Sequence, residues 1–161
     1  MLIRRATTAD WPAIWELFQE VIAAGDSFAY DVDTPERVAR ILWIEDPAVA
    51  FVAEDERGVV VGTYYVRPNQ PGRGAHVANA GYMVASYMRG QGLAGLLCKH
   101  SLQTAKSEGY EAMQFNFVVS TNKAAIHVWE EHGFTTVGRL PEAFRHVTLG
   151  MVDVLVMWRK L

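Results

Sequence analysis

Residues 87–97 read YMRGQGLAGLL, with Gly90, Gly92 and Gly95 in the pattern G-x-G-x-x-G. The glycines lie between an apolar, strand-like run (HVANAGYMVAS) and a stretch with helical spacing. A strand that turns through glycine into a helix brings the first, unpaired N–H groups of that helix up to an anion. Three phosphate sites share this outline. A dinucleotide fingerprint needs a leading βαβ unit and an acid closing the second strand about 20 residues on. Here the glycines come past mid-chain, the next strand ends in VVST, and Glu111 stands before that strand, at the wrong end. A nucleotide P-loop needs Lys and Ser/Thr after the last glycine, where this chain has Leu96 and Leu97. The third outline, a metal-free pyrophosphate cradle with Arg89 as a fixed charge, fits. A plain glycine-rich turn is its structural alternative.

The rest of the chain supplies the scaffold. LIRRA predicts a strand. TTADWPAIWELFQEVIAAG predicts a helix capped by Thr7 or Thr8, with Trp11, Ile14, Trp15, Phe18 and Ile22 on one face and Gly25 at its end. TPERVARILWIE predicts a second helix, with Thr34 as cap, Pro35 in the first position and Pro47 closing it. AVAFVAEDE and VVVGTYYVRP predict a hairpin through ERG. HVANAGYMVAS follows as a strand, then a helix from Gly92 to Glu108 with Leu93, Leu96, Leu97, Ser101 and Ala105 inside. In AMQFNFVVS, Met113, Phe115 and Phe117 alternate against Gln114, Asn116 and Val118. TNKAAIHVWEEHGF predicts a helix stopped at Gly133. TTVGRL and VTLGMVDVLVMWRKL predict closing strands. The order is β-α-α-β-β-β-α-β-α-β-β, with a parallel crossover only around residues 77–118. This is an α+β fold: a mixed, mostly antiparallel central sheet flanked by helices. With 161 residues, no repeat and no linker, residues 1–161 are expected to form one domain.

A net charge of -3 argues against a nucleic-acid partner, without excluding a local basic patch. One cysteine, Cys98, excludes an intrachain disulfide, and no Cys/His cluster has metal spacing. Cys98 follows Leu96 and Leu97 and reads as a core thiol rather than a nucleophile. No leader-like segment and no run of about 18 apolar residues is present. A cytoplasmic protein with no membrane partner is therefore expected.

RGQGLA fits the R/Q-x-x-G-x-G/A loop of the GCN5-related N-acetyltransferases (the GNAT family), which there binds the pyrophosphate of acetyl-coenzyme A. NKAAIHVWEEHGF fits that family's N-x-x-A-x-x-[LV]-Y-E-x-x-G-F helix at Asn122, Ala125, Val128, Glu130, Gly133 and Phe134, about thirty residues downstream. The element order also agrees along essentially the whole chain. The chain thus resembles this family, and the resemblance implies an acyl-CoA N-acyltransferase fold, acetyl-CoA as co-substrate, no metal, and direct transfer to an amine. It places Arg89, Gly90, Gly92, Leu93, Ala94 and Gly95 around the pyrophosphate. The matched subset is Arg89, Gly92 and Ala94, with Gly95 read as helix packing. It runs the pantetheine along the main chain of Met83 and Val84, with the Val84 N–H as oxyanion donor, and puts Asn122 and Trp129 near the cofactor.

One departure concerns Trp129, which stands where family members often have a tyrosine that protonates the thiolate. An indole N–H donates but does not ionise in water's pH range. Trp129 either stabilises the thiol or is a core aromatic. A second departure is the lack of an acid in HVANAGYMV and MQFNFVVST, which carry Asn79 and Asn116 instead. HVANAGYMV, FNFVVSTN and VWEEHGF are similar to segments of fungal N-acetyltransferases that act on proline analogues. That narrower resemblance implies that Asn79 and Asn116 contact substrate, with Asn116 also in a catalytic role. A structural hydrogen bond is the alternative for each. Asp153, alone in an apolar strand, is expected to be satisfied by a neighbouring loop rather than to act as a base. His76 and His146 read as loop residues. Phe28 and Tyr30 in GDSFAYD sit where this family closes over the acceptor, so they shape the pocket or pack in the core.

The expected acceptor is the amine of a small molecule, an amino acid or analogue. The alternatives are a protein N-terminus or lysine, or a non-catalytic acyl-CoA-binding module. A homodimer is expected by family resemblance, with the last strand as a free edge for pairing.

Overall fold

The computed structural model describes every residue from Met1 to Leu161. The strands are β1 (Leu2–Arg5), β2 (Val49–Glu54), β3 (Val60–Pro68), β4 (Val77–Val84), β5 (Ala112–Val119), β6 (Thr135–His146) and β7 (Gly150–Lys160). The helices are α1 (Trp11–Ala24), α2 (Glu36–Trp43), α3 (Leu93–Ser107) and α4 (Lys123–Glu131). The strands form one sheet in the order β1-β2-β3-β4-β5-β7-β6. Every neighbouring pair is antiparallel except β4 and β5, which are parallel. The predicted element order and α+β class agree with this architecture.

Each face of the sheet carries its own core. On one face, Ile14, Phe18 and Ile22 of α1 and Trp43 of α2 bury against Val52, Tyr65 and Met83. Chain entry to α1 is fixed by a capping box between Thr7 and Asp10, and the exit by Gly25 in the left-handed region, φ 64°. The Asp10 carboxylate also takes two hydrogen bonds from Arg4, which holds its pKa down to about 2. On the other face, Leu93, Leu97 and Cys98 of α3 and Trp129 of α4 pack on Tyr64, Met113, Phe115 and Met157. No helix is long and apolar enough to cross a membrane.

Several local expectations are corrected. Helix α2 begins at Glu36, with Pro35 still extended at ψ 138°, and the Thr34 hydroxyl donates back to the Asp31 carbonyl instead of capping. Leu96 is half exposed, whereas Cys98 and Leu102 are inside, because α3 presents a different arc to the sheet. In β5 the register slips between Phe115 and Val118, so Asn116 and Phe117 together face the single residue Val156. This bulge reverses the alternation: Val118 is buried and Phe117 is 37% exposed. Strand β6 is longer than TTVGRL predicts, continuing past a second slip between Leu140 and Phe144 to His146. It occupies the edge, while β7 lies between β5 and β6, so the last strand offers no free edge for a partner.

Candidate active site

Strands β4 and β5 pair only at Val77 with Ala112 and Ala78 with Met113. Beyond these residues they part, and the gap is a cleft of about 550 Å³ through the sheet. Val21 and Phe28 border it on the α1–α2 face; Ala94, Asn122 and Trp129 border it on the α3–α4 face. Asn79, at the root of the split, braces it. Its amide nitrogen donates to the Gln114 carbonyl on β5 at 3.0 Å, and its oxygen accepts from the Tyr65 hydroxyl on β3 at 3.1 Å. Gly81 permits that contact: a Cβ there would lie 2.7 Å from Cε1 of Tyr65.

The α3 end of the cleft is built from main chain. Gly90 and Gly92 have φ of 73° and 80°, and a Cβ at either position would meet nothing within 4 Å. It is therefore backbone conformation, not crowding, that calls for glycine. The first bond of α3 runs from the Leu96 N–H to the Gly92 carbonyl, leaving the N–H groups of Leu93, Ala94 and Gly95 without a protein acceptor. A 15-residue helix adds its positive end to these donors. Arg89, half exposed, lies 3.9 Å from Asp26 at the cleft mouth. A Cβ on Gly95 would sit 3.4 Å from Cε1 of His132, so this glycine lets α3 approach the end of α4. The residues present thus fit a bound pyrophosphate, with donors, a cation and open space together.

The edge of β4 gives the cleft a second row of main-chain groups. The Ala85 N–H donates to the Val61 carbonyl on β3. Ladder alternation then turns Met83 toward β3 as well, and Val84 and Tyr82 toward the cleft. Val84 offers its N–H and carbonyl to the gap. The expected main-chain contact from Met83 is corrected: its polar groups pair with β3, and its side chain is buried against α1. On α4, the Asn122 side chain accepts from the Ala125 N–H and caps the helix. Trp129 is buried, 4.8 Å from the Tyr82 ring and 5.1 Å from Phe115. No protein group accepts from its indole N–H.

The α1–α2 face is built from side chains. Asn116 is exposed beside the β5 bulge, donates to Asn69 at 2.7 Å and accepts from Gln114 at 2.8 Å. Neither Asn79 nor Asn116 is part of the cleft wall proper; both stand next to it on this face. Phe28 and Tyr30 stack at 6.0 Å, and Phe28 reaches the cleft. Burial raises the Tyr30 pKa, keeping the phenol protonated.

Other candidates lie outside the cleft wall. Asp153 accepts from Arg139 and from the Glu142 N–H, far along β6. His146 accepts from the Thr148 and Leu149 N–H groups in the β6–β7 turn, and His76 is exposed. Cys98 is fully buried and its thiol is pushed up to about 12 by burial, which makes it inert. Sequence reasoning missed Tyr65, Arg67, Asn69 and Gln114. Gly81 inside a strand and Arg67 ending an apolar one were the readable signals.

The profile of the acetyltransferase (GNAT) family matches residues 11–134. N-acetyltransferase aca1 of Schizosaccharomyces pombe is 33% identical over 99 residues, which is 62% of this chain and 47% of that protein. The chain thus spans about half the length of this curated relative. A GCN5-related N-acetyltransferase from Kribbella flavida superposes with a TM-score of 0.95 at 44% identity, over 99% of this chain and 97% of that one. The structure of yncA from Salmonella typhimurium with its cofactor acetyl-CoA superposes with a TM-score of 0.84 at 25% identity, over 100% and 94%. Sequence profile and architecture agree: the chain belongs to the acetyltransferase (GNAT) family.

Proposed function

We propose that this protein transfers the acetyl group of acetyl-CoA to the amine of a small molecule, an amino acid or analogue, within a ternary complex. The observation that carries the reading is the set of three unpartnered N–H groups at the start of α3, facing a cleft opened by two diverging parallel strands. Bound acetyl-CoA supplies the activated acyl group. The N–H groups of Leu93, Ala94 and Gly95, with Arg89, hold its pyrophosphate. Gly90 and Gly92 shape that loop. Val84 holds the pantetheine main chain to main chain, and its N–H donates to the thioester oxygen as charge develops there. One such donor is worth roughly a hundred- to a thousandfold in rate.

The acceptor enters from the α1–α2 face, against Phe28 and Tyr30. Asn116 orients it, while Asn79, with both ends of its amide engaged, positions the strands around it. Amides are not bases, so the amine proton leaves by another route. Asp26 and His127 are the cleft residues able to accept it, directly or through water. Trp129 packs beside the thiol and cannot protonate it, so that proton comes from water or from the amine.

Calorimetry with acetyl-CoA, followed by thiol release against free amino acids, amine antibiotics and peptides, tests this reading. Binding with amine-dependent release on the small acceptors is expected. Binding without any acceleration over hydrolysis makes the protein a non-catalytic acyl-CoA-binding module. Release on peptides alone moves the acceptor to a protein terminus or lysine.

A further inference from the structure

Arg67 stands near the end of β3, opposite Asn79 in the β3–β4 register. Tyr65, two residues earlier, is buried on the α1–α2 face with Trp43, so Arg67 emerges on that face too. Its guanidinium carbon lies 4.8 Å from the centre of the Tyr65 ring. One N–H reaches the Leu42 carbonyl at 3.4 Å, outside the usual range of about 2.7–3.2 Å. None of the protein's ion pairs includes it. A guanidinium has five N–H donors and keeps its charge. Arg67 is therefore a half-buried cation with most of its donors uncommitted. The polar side chains that share its face, Asn69, Asn79, Gln114 and Asn116, are all neutral and are linked by hydrogen bonds through Gln114 and Asn116. Its charge also acts on Tyr30, whose ring stacks on Phe28 at the cleft.

A half-buried cation without an anion is costly unless an anion arrives. The planar fork of arginine suits a carboxylate, which it grips through two parallel hydrogen bonds. We propose that Arg67 recognises a carboxylate on the acceptor, so that the acetylated amine belongs to a molecule bearing both groups close together, as a free amino acid does. This rests on the acetyltransferase reading above and narrows it. A peptide N-terminus, which carries an amide where the amino acid carries its carboxylate, is disfavoured at the same site.

The test compares each amino acid with its own amide as acceptor, by thiol release at saturating acetyl-CoA. The wild-type protein is expected to favour the acid in kcat/KM by roughly 10- to 100-fold. In Arg67→Gln that ratio falls to about 1, with the loss in KM for the acid, while acetyl-CoA affinity by calorimetry and the melting temperature show that the fold persists. Arg67→Lys, which keeps the charge and loses the fork, gives an intermediate ratio. Arg73→Gln, an exposed cation in the β3–β4 loop, leaves the ratio where it was. If amides are used as well as acids, or if Arg67→Gln depresses both alike, the Arg67 assignment is wrong and the acetyltransferase reading stands. If no amine is acetylated at all, both fall together.

Discussion

The two faces of the cleft are made from different materials. On the α3 face the polar groups offered to a ligand are main-chain N–H groups of Leu93, Ala94 and Gly95, with the Val84 edge of β4 beside them. On the α1–α2 face they are the side chains of Arg67, Gln114 and Asn116, set around the Asn79 brace, so that three strands contribute. A main-chain site tolerates any side chain that keeps its backbone shape, so it suits a co-substrate shared across a family. A side-chain site changes with every substitution, so it suits an acceptor that differs between members. Substitutions on the first face should therefore act through backbone conformation, and those on the second through chemical identity.

The largest contrast is expected within the glycine loop. Gly92→Asp forces a β-carbon onto φ 80° and sets a carboxylate at the anion cradle. Acetyl-CoA affinity, by calorimetry, should fall by about 100-fold or more. Gly95→Ala lies in ordinary helix, where the new carbon meets only His132 at 3.4 Å. Its affinity should stay within about 3-fold of wild type, with helix propensity in its favour. Equal losses in the two variants would mean that crowding, not conformation, governs this face.

On the opposite face Asn79→Ala removes a side chain that is 7% exposed and strands the Gln114 carbonyl and the Tyr65 hydroxyl. The cost is about 2–3 kcal/mol, read as a drop of about 5–10 °C in melting temperature. Asn116→Ala, at the exposed bulge, should leave the melting temperature within about 2 °C. It should lower kcat/KM for the amine by roughly 10-fold. The pair separates a brace from a substrate contact. An unmoved melting temperature for Asn79→Ala would remove the bracing account, and unchanged turnover for Asn116→Ala would take it out of the acceptor site.

How much of this could be read from the chain follows the same division. The glycine turn into α3 was legible because its determinants are local: glycine at a left-handed position, a helix start, an arginine three residues before Gly92. The element order was legible for the same reason, since caps, turns and periodicity are short-range. The α1–α2 face of the cleft was not, because it depends on register. Alternation alone places Phe117 inside with Phe115, but the bulge opposite Val156 turns it out and sets Asn116 beside the cleft. The partners of Asn79 lie 14 and 35 residues away, on strands whose pairing only the sheet decides. Likewise the final strand looks like a free edge until β6 is seen to extend to His146 and cover it.

Trp129 tests whether a side chain on the α3–α4 face of the cleft matters at all. Its ring fills the space between Tyr82 and Phe115. Trp129→Phe keeps an aromatic there and loses the indole N–H together with the volume of the pyrrole ring. Because the N–H does not titrate, kcat should fall by no more than about 3-fold, and the alkaline limb of the pH–rate profile should not move. A loss near 100-fold would show that the N–H supports the departing sulfur, as a lost catalytic donor would, and the main-chain description of this face would need amending.

The smallest effect on catalysis is expected at Asp153, the one acid in β7. Its carboxylate accepts from the Glu142 N–H at 2.9 Å and from Arg139 at 2.5 Å, and these bonds hold its pKa below the ordinary carboxylate value. A depressed pKa in the folded state stabilises the fold above the unfolded carboxylate range, and that contribution is lost as pH falls through the lower, folded value. Asp153→Asn should therefore flatten the acid limb of a stability-versus-pH curve. Between about pH 6 and 9 it should leave kcat/KM and its pH profile as they were, since a general base needs a pKa near the working pH and this group's is shifted the other way. Should the acid limb of the rate profile move instead, the amine proton passes through β7 rather than through the cleft mouth at Asp26 and His127. The acceptor face would then extend well beyond the three strands that frame it.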